Sequence, residues 1–162
     1  MKYILILFLL LQSCIAVAER YEHAGAGFEN KKELEEFYLK VRKAILSKDY
    51  QGLSELMLFP TGLYIGGNPT TVETAEEFVR LGDQILNDRL IQAVYCSNID
   101  NLRSNYEGVM IGQGEIWIVR LDDGRSNTGK SVIFKINNNP ANTTWERPDG
   151  ECFYGEKVNK RL

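Results

Sequence analysis

Histidine is almost missing from this chain: His23 is the single one among 162 residues. That scarcity removes the usual zinc ligand sets, which cluster His, Cys and carboxylates. It also leaves a Ser-His-Asp or Cys-His nucleophile without a credible base. His23 lies in a polar, glycine-bearing stretch and reads as exposed surface rather than as a ligand. Cysteine is scarce too, with only Cys14, Cys96 and Cys152, so neither a cysteine metal cage nor a disulfide-dense scaffold is available. Positive charge is not in excess: 19 Lys and Arg face 22 Asp and Glu, a net charge of −3, with a pI near 5.3. A nucleic-acid footprint, which needs clustered Lys and Arg, is disfavoured. No phosphate-binding Gly-x-x-x-x-Gly-Lys-Ser/Thr run is present. Residues 124–130 approximate one, but they sit between two expected strands without a following helix, as a polar hairpin loop would. No repeat of 20 to 50 residues recurs. No cofactor or metal is expected.

Only one long apolar run exists, residues 3–11. Lys2 precedes it, and Ala16-Val17-Ala18 before Glu19 has the small-x-small form that signal peptidase accepts. Residues 1–18 therefore read as a signal peptide. Its removal takes away Lys2 and leaves a charge of 18 − 22 = −4. A competing reading uses Leu11-Gln12-Ser13-Cys14, which resembles a bacterial lipobox and would make Cys14 a lipidated N-terminus. The expected location is periplasmic or secreted in the first case and membrane-anchored in the second. Either disposes of Cys14 and leaves Cys96 and Cys152 as a pair. In an oxidising compartment they form one bridge, whose loop is long enough for about 4–5 kcal/mol in the chain-entropy model. The alternative is two buried free thiols.

Residues 19–29 read as a flexible lead-in, and residues 30–162 as one α+β domain. Asn30 and Glu33 form a capping-box-like pair. Leu34, Phe37, Tyr38, Val41 and Ile45 then recur at helical spacing. Leu53, Leu56 and Met57 give a second, short helix ended by Pro60. Residues 62–65 and 70–72 flank the turn cluster Gly66-Gly67-Asn68-Pro69 as a hairpin. Thr74 and Glu77 cap a third helix whose stripe is Phe78, Leu81 and Ile85. Gly82 inside it suggests a close approach to the sheet. Residues 89–95 are ambiguous between helix and strand, and residues 97–105 suggest a strand. Residues 109–111, 115–121 and 132–136 read as antiparallel strands. Asn137-Asn138-Asn139-Pro140 ends regular structure. The tail, residues 141–162, holds Trp145, Cys152, Phe153 and Tyr154 and is expected to pack on the body.

The order helix, short helix, hairpin, helix, antiparallel strands resembles the nuclear transport factor 2-like superfamily. Phe59-Pro60 after the second helix and the stretch from Gly108 to Trp117 (Gly-Val-Met-Ile-Gly-Gln-Gly-Glu-Ile-Trp) carry the likeness, which spans residues 30–136. It implies N-terminal helices packed on a curved antiparallel sheet that forms a cone-like half barrel, with a pocket at the wide end. A homodimer through the outer sheet face is common in such folds. The fold hosts enzymes, binders and scaffolds alike. An isomerase of this kind would use a pocket carboxylate with tyrosine donors. Glu115 is the best candidate base, and Asp100 a weaker one. Tyr64, Tyr95 and Tyr106 are candidate donors, and Trp117 a candidate pocket wall. Strand alternation places Glu115 with Trp117, Val119 and Leu121 on one face. If that face is not interior, Glu115 lies near solvent or pairs with Arg120 or Arg103. With so few catalytic residue types, the favoured function is a non-enzymatic exported domain that binds a protein or small ligand through the cone mouth or sheet face. The alternative is a small-molecule isomerase or hydrolase-like enzyme.

Overall fold

The computed structural model describes residues 22–122, 129–139 and Cys152. The expected signal peptide with Cys14, the centre of the polar loop and all of the tail except Cys152 lie outside these residues. The chain is α+β, with helices and antiparallel sheets in the order helix, helix, hairpin, helix, helix, four strands.

Helix α1 (Lys31–Leu46) starts where Asn30 accepts a hydrogen bond from the Glu33 amide. The reciprocal arm of the cap is displaced by one residue: the Glu33 carboxylate accepts from the Glu29 amide, not from Asn30. The expected stripe is buried in full, with Ala44 added to it. Helix α2 (Tyr50–Glu55) is capped by Asp49. Pro60 does not end it, because the helix stops at Glu55 and the chain then turns extended. Met57 forms a parallel bridge to Ile133, with the Leu58 amide donating to Ile133 and the Ile133 amide to Leu56. Backbone pairing with a distant strand, rather than proline, terminates the helix.

Strands β1 (Thr61–Ile65) and β2 (Asn68–Val72) form the expected hairpin. Its turn is only Gly66-Gly67, both with positive φ, as a two-residue primed turn requires. Asn68 and Pro69 belong to the strand. Proline is tolerated there because β2 pairs on one side only. Helix α3 (Ala75–Ile85) is capped by Thr74, and again the N3 glutamate reaches one residue further back, to the Glu73 amide. Residues 89–95 are helical, within α4 (Asp88–Cys96), which Asn87 caps. Where a strand was expected over residues 97–105 there is a 3-10 turn (Ile99–Asn101) and a two-residue strand, β3 (Arg103–Ser104). The Asn98–Asn101 capping box holds the backbone hydrogen bonds that a longer strand would need.

Strands β4 (Val109–Ile111), β5 (Ile116–Leu121) and β6 (Lys130–Ile136) complete a meander in the order β3-β4-β5-β6. The register pairs Val109 with Ile118, Met110 with Trp117, and Ile111 with Ile116. Between Trp117 and Ile118 the β5–β6 register shifts. Phe134 is the extra residue on β6, and a bulge of this kind bends and twists its strand. Ile116 and Ile118 turn to the helices and belong to one core with Leu34, Val41, Phe78, Leu90 and Ile133. Trp117 and Val119 occupy the opposite face and are half-buried.

The lead-in is not loose from residue 22 onward. A 3-10 turn (Ala24–Ala26) packs on β5, and Ala26 and Phe28 join the core. His23 is 6% exposed, against the expectation of a solvated side chain. Gly27, at φ 87, lies against the Arg120 backbone, where a Cβ would collide with the carbonyl.

Gly82 does mark a close approach, but to α2 and not to the sheet. A Cβ at Gly82 would overlap the Tyr50 ring. That ring is held by a 2.5 Å bond from its hydroxyl to Asp83, a bond that pushes the phenol up to about 12. Helix propensity alone predicts that Gly82→Ala stabilises by about 1 kcal/mol. The packing predicts the reverse sign, a loss of about 1–3 kcal/mol. Urea denaturation of Gly82→Ala decides between them, and a gain in stability would refute the contact.

Candidate functional site

The four residues between β4 and β5, Gly112-Gln113-Gly114-Glu115, form a loop tied to its surroundings at several points. Gly112 and Gly114 have φ of 75° and 101°, a left-handed backbone that glycine accepts without strain. The Gly112 amide donates to Ser97 Oγ at 3.0 Å. The Gly114 carbonyl accepts from the Trp117 indole at 3.1 Å. The Glu115 carbonyl accepts from the Asn137 amide at 2.7 Å.

Glu115 itself is 1% exposed. Its position just before β5 frees it from strand alternation, so it does not share the outer face with Trp117 and Val119. The side chain turns back under its own loop. One oxygen accepts from the Gln113 amide at 2.6 Å; the other meets Arg89 Nη2 of α4 at 2.5 Å. The carboxylate fills the space at Gly112 where a Cβ would stand. Neither Arg120 nor Arg103 is the partner found. Arg120 lies at the far end of β5, where its guanidinium meets Glu33 at 2.5 Å and Glu29 at 3.5 Å.

Arg89 also reaches the end of β6, donating to the carbonyls of Asn139 at 3.1 Å and Asn137 at 3.5 Å. Asn138, between them, is 1% exposed. Its side chain behaves as an extra strand residue, accepting from the Tyr64 amide at 2.7 Å and donating to the Tyr64 carbonyl at 2.8 Å. It also donates to the last carbonyl of α3, at Ile85. The Asn138 carbonyl accepts from the Asn87 side chain. Ser97, which donates to the Ala93 carbonyl, takes the Tyr38 hydroxyl on its own carbonyl at 2.6 Å. Burial pushes the Tyr38 phenol up to about 12, with Arg42 pulling weakly the other way. A buried polar junction thus joins α3, α4, the β1 strand, the β4–β5 loop and the end of β6.

The other candidates are scattered. Tyr64 is half-buried and enters the junction through its backbone. Tyr95 and Tyr106 are exposed, Tyr106 at 86% in the turn between β3 and β4. Asp100 pairs with Lys31 on the surface. Trp117 packs edge-on against Phe134 at 6.2 Å, beside Met110 and Val119 on the outer face of the sheet. Asn138 and Arg89 were not singled out in the sequence. The triple asparagine before Pro140 was the available signal for Asn138, and it reads equally well as a plain stop. Cys96 at the end of α4 and Cys152 are placed with their sulfurs at bonding distance and Cα atoms 5.2 Å apart. Among the described residues no group of three or more His, Cys, Asp or Glu is arranged to hold a metal, and no helix is long and apolar enough to cross a membrane. Compared with known proteins, the chain matches no family model, no curated protein and no solved structure.

Removing one member of a buried ion pair strands the other charge, at about 3–5 kcal/mol. Arg89→Met and Glu115→Leu are each expected to lose that much in denaturant titrations. The double variant should lose clearly less than the sum of the two. Additive losses would show that the two side chains do not act as a pair. The cysteine pairing is checked by intact mass, since alkylation with and without prior reduction should give different masses. Equal masses would reject the bridge.

Proposed function

We propose that the chain is an exported, non-enzymatic binding domain of the nuclear transport factor 2-like kind, with its sheet forming a cone-like half barrel. It engages a protein or small-ligand partner through the outer face of the sheet. The order of helices, hairpin and four-stranded meander supports the family reading, and the bulge at Phe134 supports the curvature. The observation that carries the binding role is the outer-face cluster of Trp117, Phe134, Met110 and Val119. These apolar side chains are only partly buried, set outside the core around an edge-on aromatic pair. Partly buried aromatic and methionine side chains on a surface are the composition of an interface centre.

The isomerase-like alternative loses support from the state of Glu115. A general base needs a lone pair directed at substrate. Here one oxygen takes the Arg89 guanidinium and the other the Gln113 amide. Both carboxylate oxygens are thus engaged in holding the loop.

A photo-crosslinking residue in place of Val119, in the producing cells, is expected to give one discrete adduct that disappears when Trp117 and Phe134 are both changed to alanine. The same probe in place of Lys40, on the exposed side of α1, should give none. No adduct from position 119, or equal adducts from both positions, would overturn the sheet-face reading. Intact mass of the same material tests export: a mature start at Glu19 fits cleavage after Ala18, a lipid-modified start at Cys14 fits the anchored form, and an unprocessed chain rejects both.

A further inference from the structure

The chain's only histidine is enclosed where the lead-in crosses the sheet edge. His23 Nδ1 lies 2.9 Å from the Ser104 hydroxyl on β3. That hydroxyl donates in turn toward the Glu22 carbonyl at 3.4 Å, so its lone pair is open to an Nδ1–H. Three residues on, the Ala26 amide bonds back to the His23 carbonyl, closing the turn. Beyond it Gly27 lies on the Arg120 backbone, Phe28 enters the core, and Glu29 reaches Arg120. Residues 22–29 form a strap over β3 and β5, with His23 as its outermost buried attachment among the described residues.

We propose that this strap is a proton-controlled latch: with His23 neutral it is seated on β3 and β5, and protonation of the imidazole releases residues 22–29 from the sheet while the rest of the fold stays intact. The Nδ1 contact is compatible with protonation, because the Ser104 hydroxyl can accept from an imidazolium N–H whichever tautomer the neutral ring holds. What changes is the charge, which a site only 6% exposed accepts poorly. Burial lowers the affinity of His23 for a proton below its ordinary 6.5, and the Glu22 carboxylate opposes this only in part. Among the described residues, the other charged groups on the elements around it include Arg103, next to Ser104 on β3, and Arg120 on β5, which meets Glu29 and Glu33. The Lys31–Asp100 pair lies at the start of α1.

The direction follows from linkage. A released strap binds a proton more readily than a seated one, so seating is at full strength above 6.5 and weakens as pH falls below it. The strap is anchored by three buried side chains, His23, Ala26 and Phe28, against six in α1, so it is expected to open before α1 does. Release would free the Ser104 end of the edge strand and take Glu29 away from Arg120.

Hydrogen exchange on the full chain, between about pH 7.5 and about pH 5, reads the latch directly. Protection factors, corrected for intrinsic exchange, are expected to fall across residues 22–29, by up to about tenfold per pH unit, the limit for one proton. Those of Lys31–Leu46 should hold. In His23→Gln the pH response should vanish. Unchanged protection of the strap, an equal fall throughout α1, or a response that persists in His23→Gln would each overturn the proposal. If the variant does not fold, the wild-type imidazole resonance decides, unambiguous because there is one histidine. A midpoint at or above 6.5 overturns the latch, and one below it supports it.

Discussion

Strand β5 is gripped at both ends by an arginine–carboxylate pair, and the rest of the structure depends on that grip. At its start Glu115 is clasped by Arg89 of α4. Near its end Arg120 reaches Glu33 and Glu29 at the head of α1. Ile116 and Ile118, between the two pairs, face the same helices and are fully buried. Apolar burial supplies most of the free energy but is indifferent to small slides of a helix along a sheet. A charged pair at each end is not indifferent, because a slip strands a charge in a poorly solvated place. The two pairs therefore act on register more than on raw stability: they set which turn of α1 and of α4 lies over which residue of β5.

The junction around Asn138 solves a different problem. Where β1, β6, α3 and α4 meet, several backbone groups end without a partner from regular structure. A buried unpaired amide or carbonyl costs about 1–3 kcal/mol. One asparagine side chain, with a donor and an acceptor at fixed separation, completes both free groups of Tyr64 and still reaches the end of α3. The same segment presents carbonyls to Arg89 and Asn87 and an amide to Glu115. Aspartate would have the acceptors without the donor, and leucine neither. The chemistry is that of assembly, with polar groups spent on one another.

How much of this was legible in the sequence depended on the range of the interaction. The α1 stripe, the Asn30 and Thr74 caps, the glycine hairpin and the β4–β5 pair all follow from spacing within about ten residues, and they are found where the pattern put them. The displaced arms of the two caps, at Glu29 and Glu73, are differences of a single residue that spacing does not resolve. The end of α2 at Glu55 was not legible, because it answers to Ile133, far along the chain. Gly82 signalled a close approach, but its neighbour, Tyr50, came from another helix. Glu115 was singled out as an isolated carboxylate in a strand-like run. Its partner Arg89 lay in a segment whose helical state was itself ambiguous, so the pair could not be read. His23 was misplaced for a related reason: a glycine-bearing polar stretch reads as loose when the surface that covers it is contributed by β3 and β5.

These contacts divide the molecule into a part whose polar groups are committed inward and a part that is not. Glu115, Arg89, Asn138, Ser97 and Tyr38 bind one another or the backbone. The outer face of β4, β5 and β6 keeps apolar side chains that are only partly buried. Trp117 is tied to Gly114 through its indole nitrogen and to Phe134 through its ring, so it presents a fixed face. A side chain already held in one rotamer loses little entropy when a partner covers it, and this preorganisation favours binding. The glycines of the β4–β5 connection serve both halves: Gly112 leaves room for the Glu115 carboxylate beneath, and Gly114 offers the carbonyl that orients Trp117 above. The stretch that ties the sheet to the helices thus also sets the geometry of the surface the protein presents.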